Sequence, residues 1–283
     1  MPLRNHPTAR QLRLGAELRR MRESAGMTAR ETAALLGVNS SQMTHVESGL
    51  SGVSEARLRR LAAHYACLDE ALIDGLAVLA TDRTRGWWEE YRGILPAPFL
   101  DLAELEHHAT FRRDVDFLHV PGLLQTEDYA RALFSFTTPE LRPDQLESWV
   151  RHRMRRRTIL EGPRTIPYET VIHESALRIR VGDRAATRVQ LGRILELSEA
   201  DHVTVRVIPY DLDGFAGAGS AMVHMGGAVP RLDTFVRDAP YGTAFIDSEA
   251  QLDRLRSLFR KVRSVSFEPE RSRDFIHRLT KEL

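Results

Sequence analysis

An all-α half of five short helices followed by an α/β (or α+β) half is the fold class the sequence predicts. Three observations predict it. Through about residue 79, apolar residues recur at spacings of three and four, and small polar residues stand at the expected helix starts. Beyond residue 165 the period changes, and β-branched runs at 168–173 and 203–208 flank a helical pattern at 185–198. Between the two regimes residues 81–85 are polar and precede Gly86-Trp87-Trp88, which places the boundary near residue 82 and gives domains 1–82 and 83–283.

Residues 1–10 read as a flexible, weakly basic tail. Leu14, Leu18 and Met21 then recur at i, i+4 and i+7, a first amphipathic helix ending near Ala25-Gly26. Thr28-x-x-Glu31 is a capping box for a second helix. Residues 29–48 read as two short helices joined by a tight turn, a helix-turn-helix. Ala33 leaves room for the helices to cross, and Gly37 permits the left-handed turn. Val38, Met43 and Val46 pin the second of the pair. Asn39-Ser-Ser-Gln42 supplies its start. Ser54 caps a fourth helix whose Leu58, Leu61, Ala62 and Tyr65 share a side, and residues 68–79 supply a fifth.

In the second half Trp87, Trp88 and Tyr91 have helical spacing and are expected as packing groups at the domain junction. Residues 100–110 read as a helix and the apolar run 115–120 as a strand, ended by Pro121-Gly122. Thr126 caps a helix through Phe134, and a longer helix spans 143–160. Strand, helix and strand over 168–208 predict a parallel pair with a crossover helix. Residues 221–225 and 232–236 add strands; helices at 247–262 and 269–279 close the chain.

The formal net charge of +1 conceals an asymmetry. Residues 1–68 hold ten arginines against five glutamates, and the remainder holds 30 basic against 34 acidic residues. A basic head on an acidic body is the electrostatic footprint of a nucleic-acid reader. Cys67 is the one cysteine, so neither a disulfide framework nor a cysteine-based zinc site is available. No apolar run approaches membrane-spanning length, and the sequence predicts a soluble, cytoplasmic protein without a membrane association.

Residues 14–68 resemble the lambda-repressor/Cro-type, or xenobiotic-response-element, helix-turn-helix family. The resemblance lies in Leu18-Arg19-x-x-Arg22, Gly26-Met27-Thr28, Ala33, Gly37-Val38 and Val46-Glu47-x-Gly49. It implies that the third helix enters the major groove of double-stranded operator DNA. Carried over by position, Asn39, Ser40, Ser41, Gln42, Thr44 and His45 meet the DNA, with Gln42 suited to adenine. Ala29 stands where the family often has Gln, and His45 where it often has Arg; Arg30 is the expected substitute for a phosphate contact. Glu47 is implied to pair with Arg22. One such module reads few base pairs, so a homodimer is expected.

Val120-Pro-Gly-Leu-Leu-Gln-Thr-Glu-Asp-Tyr-Ala-Arg131 resembles the signature of the domain that follows the helix-turn-helix in actinobacterial regulators of the WhiJ type. Arg151-x-Arg153, His173-Glu174-x-x-Leu177 and the segment from Gln190-Leu191 to Pro209 match it too. That domain has no established chemistry. The resemblance implies a small acidic partner protein encoded nearby. Two functions stay open: a sequence-specific transcriptional regulator whose second domain dimerises and binds a small-molecule effector or a small protein, and an antitoxin-like adaptor that sequesters an acidic partner and binds DNA for autoregulation.

Catalytic chemistry finds little support. The run Arg151-His-Arg-Met-Arg-Arg-Arg157 is either a second nucleic-acid patch or a solvated or interface helix. Glu106-His107-His108 has metal-ligand composition, but adjacent helical residues point about 100° apart. His173-Glu174 is an acid–base pair or a buried polar junction. Residues 211–220, with Gly214, Gly217 and Gly219, match no phosphate-loop spacing and read as a mobile loop, over a pocket if one exists. No Gly-x-Ser-x-Gly elbow occurs. The expectation is a non-enzyme without cofactor or metal.

Overall fold

A computed structural model describes residues 6–217, 219–239 and 242–283. The chain forms two compact units: residues up to Trp87 with the segment Val229–Leu232, and Trp88–Ala228 with Asp233–Leu283.

In the first unit α1 (Ala9–Ser24), α2 (Ala29–Leu36), α3 (Ser40–Glu47), α4 (Glu55–His64) and α5 (Glu70–Thr81) surround one core. Leu18, Leu58, Leu61, Leu72 and Leu76 are fully buried there, each stabilising by about 1.5–3 kcal/mol. Helix α1 begins at Ala9, inside the expected tail, because Thr8 opens it with its N–H on Gln11 Oε1 at 3.1 Å. Of that tail, residues 1–5 lie outside the described residues. Helix α5 starts at Glu70, two residues later than expected, because Asp69 caps it by accepting from the Leu72 N–H at 3.0 Å.

The second unit carries a six-stranded sheet of β1 (Phe111–Asp116), β2 (Tyr168–His173), β3 (Val203–Ile208), β4 (Met222–Gly226), β5 (Thr234–Ala239) and β6 (Gly242–Ile246), in the order β3-β2-β1-β4-β5-β6. The three strands β1, β2 and β3 run parallel, and β4, β5 and β6 add antiparallel. The expected strand–helix–strand is present, with Arg184–Leu197 as the helix between β2 and β3. The remaining helices are α6 (Ala97–His108), α7 (Glu127–Thr137), α8 (Pro143–Arg155), α9 (Thr158–Glu161) and α10 (Glu174–Arg178). After them come the crossover helix α11 (Arg184–Leu197), then α12 (Glu249–Val265) and α13 (Pro269–Glu282). One sheet face packs Tyr168, Ile172, Val205 and Val207 among residues of α11 and α13; the other packs Val115, Val171 and Phe235 with Leu252 and Phe259 of α12.

Three expectations need correction. The first strand is at 111–116, not 115–120: Arg112 and Asp114 are buried as an ion pair, so two core-facing positions carry charges that a hydrophobic pattern cannot register. The helix expected over 143–160 stops at Arg155 and resumes at Thr158. At that break Arg156 pairs with buried Glu106 and Arg157 donates to the Gln125 carbonyl. Strand β6 was not anticipated, because five residues without apolar–polar alternation give no period-two signal. Among the described residues no helix is long and apolar enough to cross a membrane.

Candidate nucleic-acid interface

Helices α2 and α3 are each eight residues long, too short to persist alone in water, so local caps and tertiary ties must hold them. Thr28 caps α2: its hydroxyl accepts from the Glu31 N–H at 3.2 Å, and Glu31 accepts from the Thr28 N–H and hydroxyl at 2.7 Å. The backbone N–H of Thr28, then its hydroxyl, lowers the Glu31 pKa. Gly37 ends α2 in the left-handed region at φ +65°, and the Arg60 guanidinium donates to the Leu35 carbonyl behind it. Asn39 caps α3, accepting from the Gln42 N–H at 2.8 Å, while Gln42 Oε1 accepts from the Asn39 N–H at 3.3 Å.

Met43, 1% exposed, fastens α3 to the core, with Val46 and Val38 packed beside it. At the C-terminal end Glu47 accepts from Arg22 Nε at 2.6 Å and Nη2 at 3.0 Å, and Arg22 Nη1 donates to the Met27 carbonyl at 2.6 Å. One guanidinium thus ties α1, the turn after it and α3. Gly15 completes the crossing: a Cβ there would stand 2.4 Å from the Glu47 carbonyl oxygen. Sequence reasoning passed over Gly15; its one signal was a glycine inside an otherwise regular helical pattern.

With Met43 turned inward, the outward side of this segment presents Asn39, Ser40, Ser41, Gln42 and Thr44 as exposed residues and His45 as half-buried. Thr44 Oγ1 donates to the Ser40 carbonyl at 3.0 Å, so its oxygen remains an acceptor. The capping bond occupies Gln42 Oε1 and leaves the Nε2 hydrogens outside it. Arg30 is exposed near the start of α2. Arg57, also passed over in the sequence, is exposed in the first turn of α4, and neither arginine has an ion-pair partner among the described residues.

Most other arginines of this unit are spent internally. Arg13 and Arg20 meet the buried Glu17. Arg10 pairs with Asp82, Arg19 with Glu23, and Arg59 with Glu55 and Asp74. Fewer arginines of the basic head are therefore left outside ion pairs than its composition implies.

In the second unit the residues with chemical potential are structural ties. Glu106 is buried between Arg112 and Arg156; desolvation opposes its charge, but the two guanidinium groups hold its pKa below the ordinary value. Tyr168 donates to Asp114 at 2.9 Å. His107 and His108 pack edge to face on each other and against Trp88, while Tyr91 packs against His152. His173 caps α10 through Nδ1, accepting from the Ser175 N–H at 3.2 Å; Glu174 accepts from the Tyr210 N–H at 2.8 Å and pairs with Arg178 at 2.5 Å.

The run at 151–157 is neither a free basic patch nor a solvated helix. Arg153 donates to Gln125 Oε1, Arg156 clamps Glu106, Arg157 donates to the Gln125 carbonyl and Arg155 pairs with Glu90. Gln190 accepts from the Thr126 N–H at 2.7 Å and donates to the Leu124 carbonyl at 2.8 Å, closing the knot around residues 120–126. In the 211–220 loop, whose residue 218 lies outside the described residues, Phe215 stacks on Phe117 and His173 with centroids 6.2 and 5.9 Å apart.

A family model described as a helix-turn-helix domain matches residues 13–76, and one described as a domain of unknown function (DUF5753) matches residues 99–278. No curated protein and no solved structure matches the chain.

Proposed function

From the premise that the chain belongs to the DUF5753 family and carries a helix-turn-helix domain ahead of it, we propose a sequence-specific transcriptional regulator. The protein is a DNA-binding regulator; its sequence specificity, its dimeric state and the effector-binding role of its second unit belong to this proposal. The supporting observation is the outward side of α3, polar from Asn39 to His45 over a helix fixed from behind by Met43 and the Arg22–Glu47 pair.

In this reading α3 lies in the major groove. Ser41, Thr44 and His45 meet base edges. Thr44 offers an acceptor oxygen and a methyl group, the latter suited to a thymine methyl. Gln42 pairs with adenine by sharing Oε1 between the Asn39 N–H and the adenine amino group, while Nε2 donates to N7. Asn39 and Ser40 place the start of α3, and Arg30 and Arg57 neutralise flanking phosphates. Two protomers read two half-sites. The second unit supplies the dimer contact and receives a signal, and the protein works in the cytoplasm on the nucleoid.

The test is fluorescence anisotropy of the full chain on a duplex carrying the sequence upstream of its own gene, titrated at increasing salt. Each neutralised phosphate contributes about −0.9 to the slope of log affinity against log salt. Arg30 and Arg57 on two protomers give an expected slope near about −3.6 from these residues. A flat salt response, or equal affinity for a scrambled duplex, refutes the reading.

A further inference from the structure

We propose that the turn between β4 and β5, Val229–Leu232, is the element through which the second unit sets how firmly α3 is held for operator binding. The inference rests on the DNA-reading function above and names the regulation of that same site.

The turn connects two strands of the second unit, yet by its packing it belongs to the first. Pro230–Leu232 form a single 3-10 turn, closed by the Leu232 N–H on the Val229 carbonyl at 2.9 Å. Val229 and Leu232 pack against the core of the helix-turn-helix unit. Helix α5 receives them at Gly75, where a Cβ would stand 2.7 Å from Leu232 Cδ1 and 3.2 Å from Val229 Cγ2. Glycine in mid-helix weakens the helix. The room it leaves here is filled by the turn.

Helix α1 grips the same turn by charge. Arg13 and Glu17, one helical turn apart, pair at 3.1 Å and are 5% and 1% exposed. Charged side chains are buried so deeply only when they are paired. Arg231 meets both of them: its guanidinium lies 3.4 Å from Glu17, and its carbonyl accepts from Arg13 Nη2. The same stretch of α1 also carries α3. Gly15, between Arg13 and Glu17, is where the Glu47 carbonyl passes, and Arg22 binds the Glu47 side chain. A displaced turn therefore takes one partner from Glu17 and loosens the helix on which α3 rests.

The base of the turn is fixed in the second unit. Asp233, the next residue, is buried; it bonds His224 Nε2 of β4 at 2.9 Å and accepts from Arg256 Nη2 of α12 at 2.9 Å. Gly226, the last residue of β4, has no room for a Cβ beside the Asp233 carboxylate. A rearrangement of β4 or α12 thus reaches α1 through a few residues of chain held at both ends. Packed side chains and ion-pair networks of this kind carry coupling between sites.

The test compares the full chain with two variants, Arg231→Ala/Leu232→Ala and Gly75→Leu. Hydrogen exchange read by mass spectrometry follows α3, and anisotropy on the duplex from upstream of the gene gives operator affinity. Removing both grips is expected to speed exchange in α3 about ten-fold and to weaken operator binding about five-fold or more, although neither residue lies on the outward side of α3. Gly75→Leu gives α5 a stronger helix former and occupies the place of the turn, so it is expected to act in the same way with no core residue lost. Exchange in β2 and β3 is expected to stay at the parent's rate in both. Parent-like α3 exchange and affinity in either variant overturns the proposal; a change confined to the double variant assigns the effect to lost core packing. A parent that binds no duplex refutes the DNA-reading function, and exchange in α3 then decides the role of the turn by itself.

Discussion

Replacing Glu47 by Ala is expected to destabilise the first unit by about 3 kcal/mol and to cost operator affinity as well. The Glu47 and Arg22 side chains are 8% and 10% exposed. Removing one member of a buried pair costs about 3–5 kcal/mol, because the remaining charge is left without its partner. Arg22 keeps its bond to the Met27 carbonyl, and a tenth of its surface reaches water, which places the cost at the lower end. A carboxylate at the C-terminal end of α3 also opposes the helix dipole, by about 0.3–1 kcal/mol. The pairing with Arg22 must outweigh that penalty.

Without Arg22, therefore, the same substitution is expected to be nearly neutral. Urea unfolding of the full chain, followed by circular dichroism for Glu47→Ala, Arg22→Met and the double variant, forms a double-mutant cycle. The double variant is expected to be less destabilised than the sum of the single changes by at least about 1.5 kcal/mol. Additive single effects, or a Glu47→Ala cost below about 1 kcal/mol, would mean that the pair is an ordinary surface contact and that α3 is fixed by Met43 alone.

Other outcomes follow from the same geometry. Gly15→Ala is expected to cost about 1–3 kcal/mol in urea unfolding, because the added Cβ meets the rigid backbone of α3. Gly37→Ala should cost only about 1 kcal/mol, the strain of a left-handed residue with open space around it; equal costs would refute the distinction. Gln42→Ala combined with His45→Ala is expected to abolish discrimination between operator and scrambled duplex while moving the unfolding free energy by less than about 1 kcal/mol, and retained preference would relocate the reading face. His152, buried and beside Arg156, has its pKa pushed down to about 3, so the native state excludes its proton. Stability is then fully present above the ordinary histidine value near 6.5 and is lost as pH falls from there towards 3, at about 1.4 kcal/mol per pH unit. His224, lowered by burial too, acts in the same direction. Urea unfolding at pH 7 and pH 5 should show His152→Phe to be less acid-sensitive than the parent, and an unchanged pH difference would refute the assignment.

The first unit was legible because each of its signals is local. Thr28 and Asn39 start helices three residues ahead of Glu31 and Gln42, Gly37 turns the chain, and Met43 marks the inward side of α3. What escaped is set by three-dimensional proximity: Gly15 matters only because α3 passes over it. In the second unit the parallel strand pair and its crossover helix followed from apolar periodicity. The first strand was misplaced because its buried positions include Arg112 and Asp114, whose charges are satisfied by each other, by Glu106 and by Tyr168. Polar cores invert the pattern on which sequence reading depends.

The arginines make the same argument about function. Counting them gives a basic head over residues 1–68, the footprint of a nucleic-acid reader, and a basic run at 151–157 that composition alone leaves between a second patch and a solvated or interface helix. Pairing separates them. At 151–157 the guanidinium groups of Arg153, Arg156 and Arg157 serve Gln125 and Glu106. In the helix-turn-helix unit, Arg30 on α2 and Arg57 on α4 stand exposed without an ion pair among the described residues, while Arg22 is tied to Glu47 at the C-terminal end of α3. A cation already neutralised by a buried carboxylate releases no counterion from DNA, whatever it adds to net charge. The salt slope should therefore follow the unpaired arginines. Arg57→Gln is expected to lower it by about 0.9 per protomer, whereas Arg20→Gln, which removes a cation already paired with the buried Glu17, should leave it nearly unchanged. Equal losses from the two substitutions would show that bulk charge sets affinity and that the pairing pattern does not.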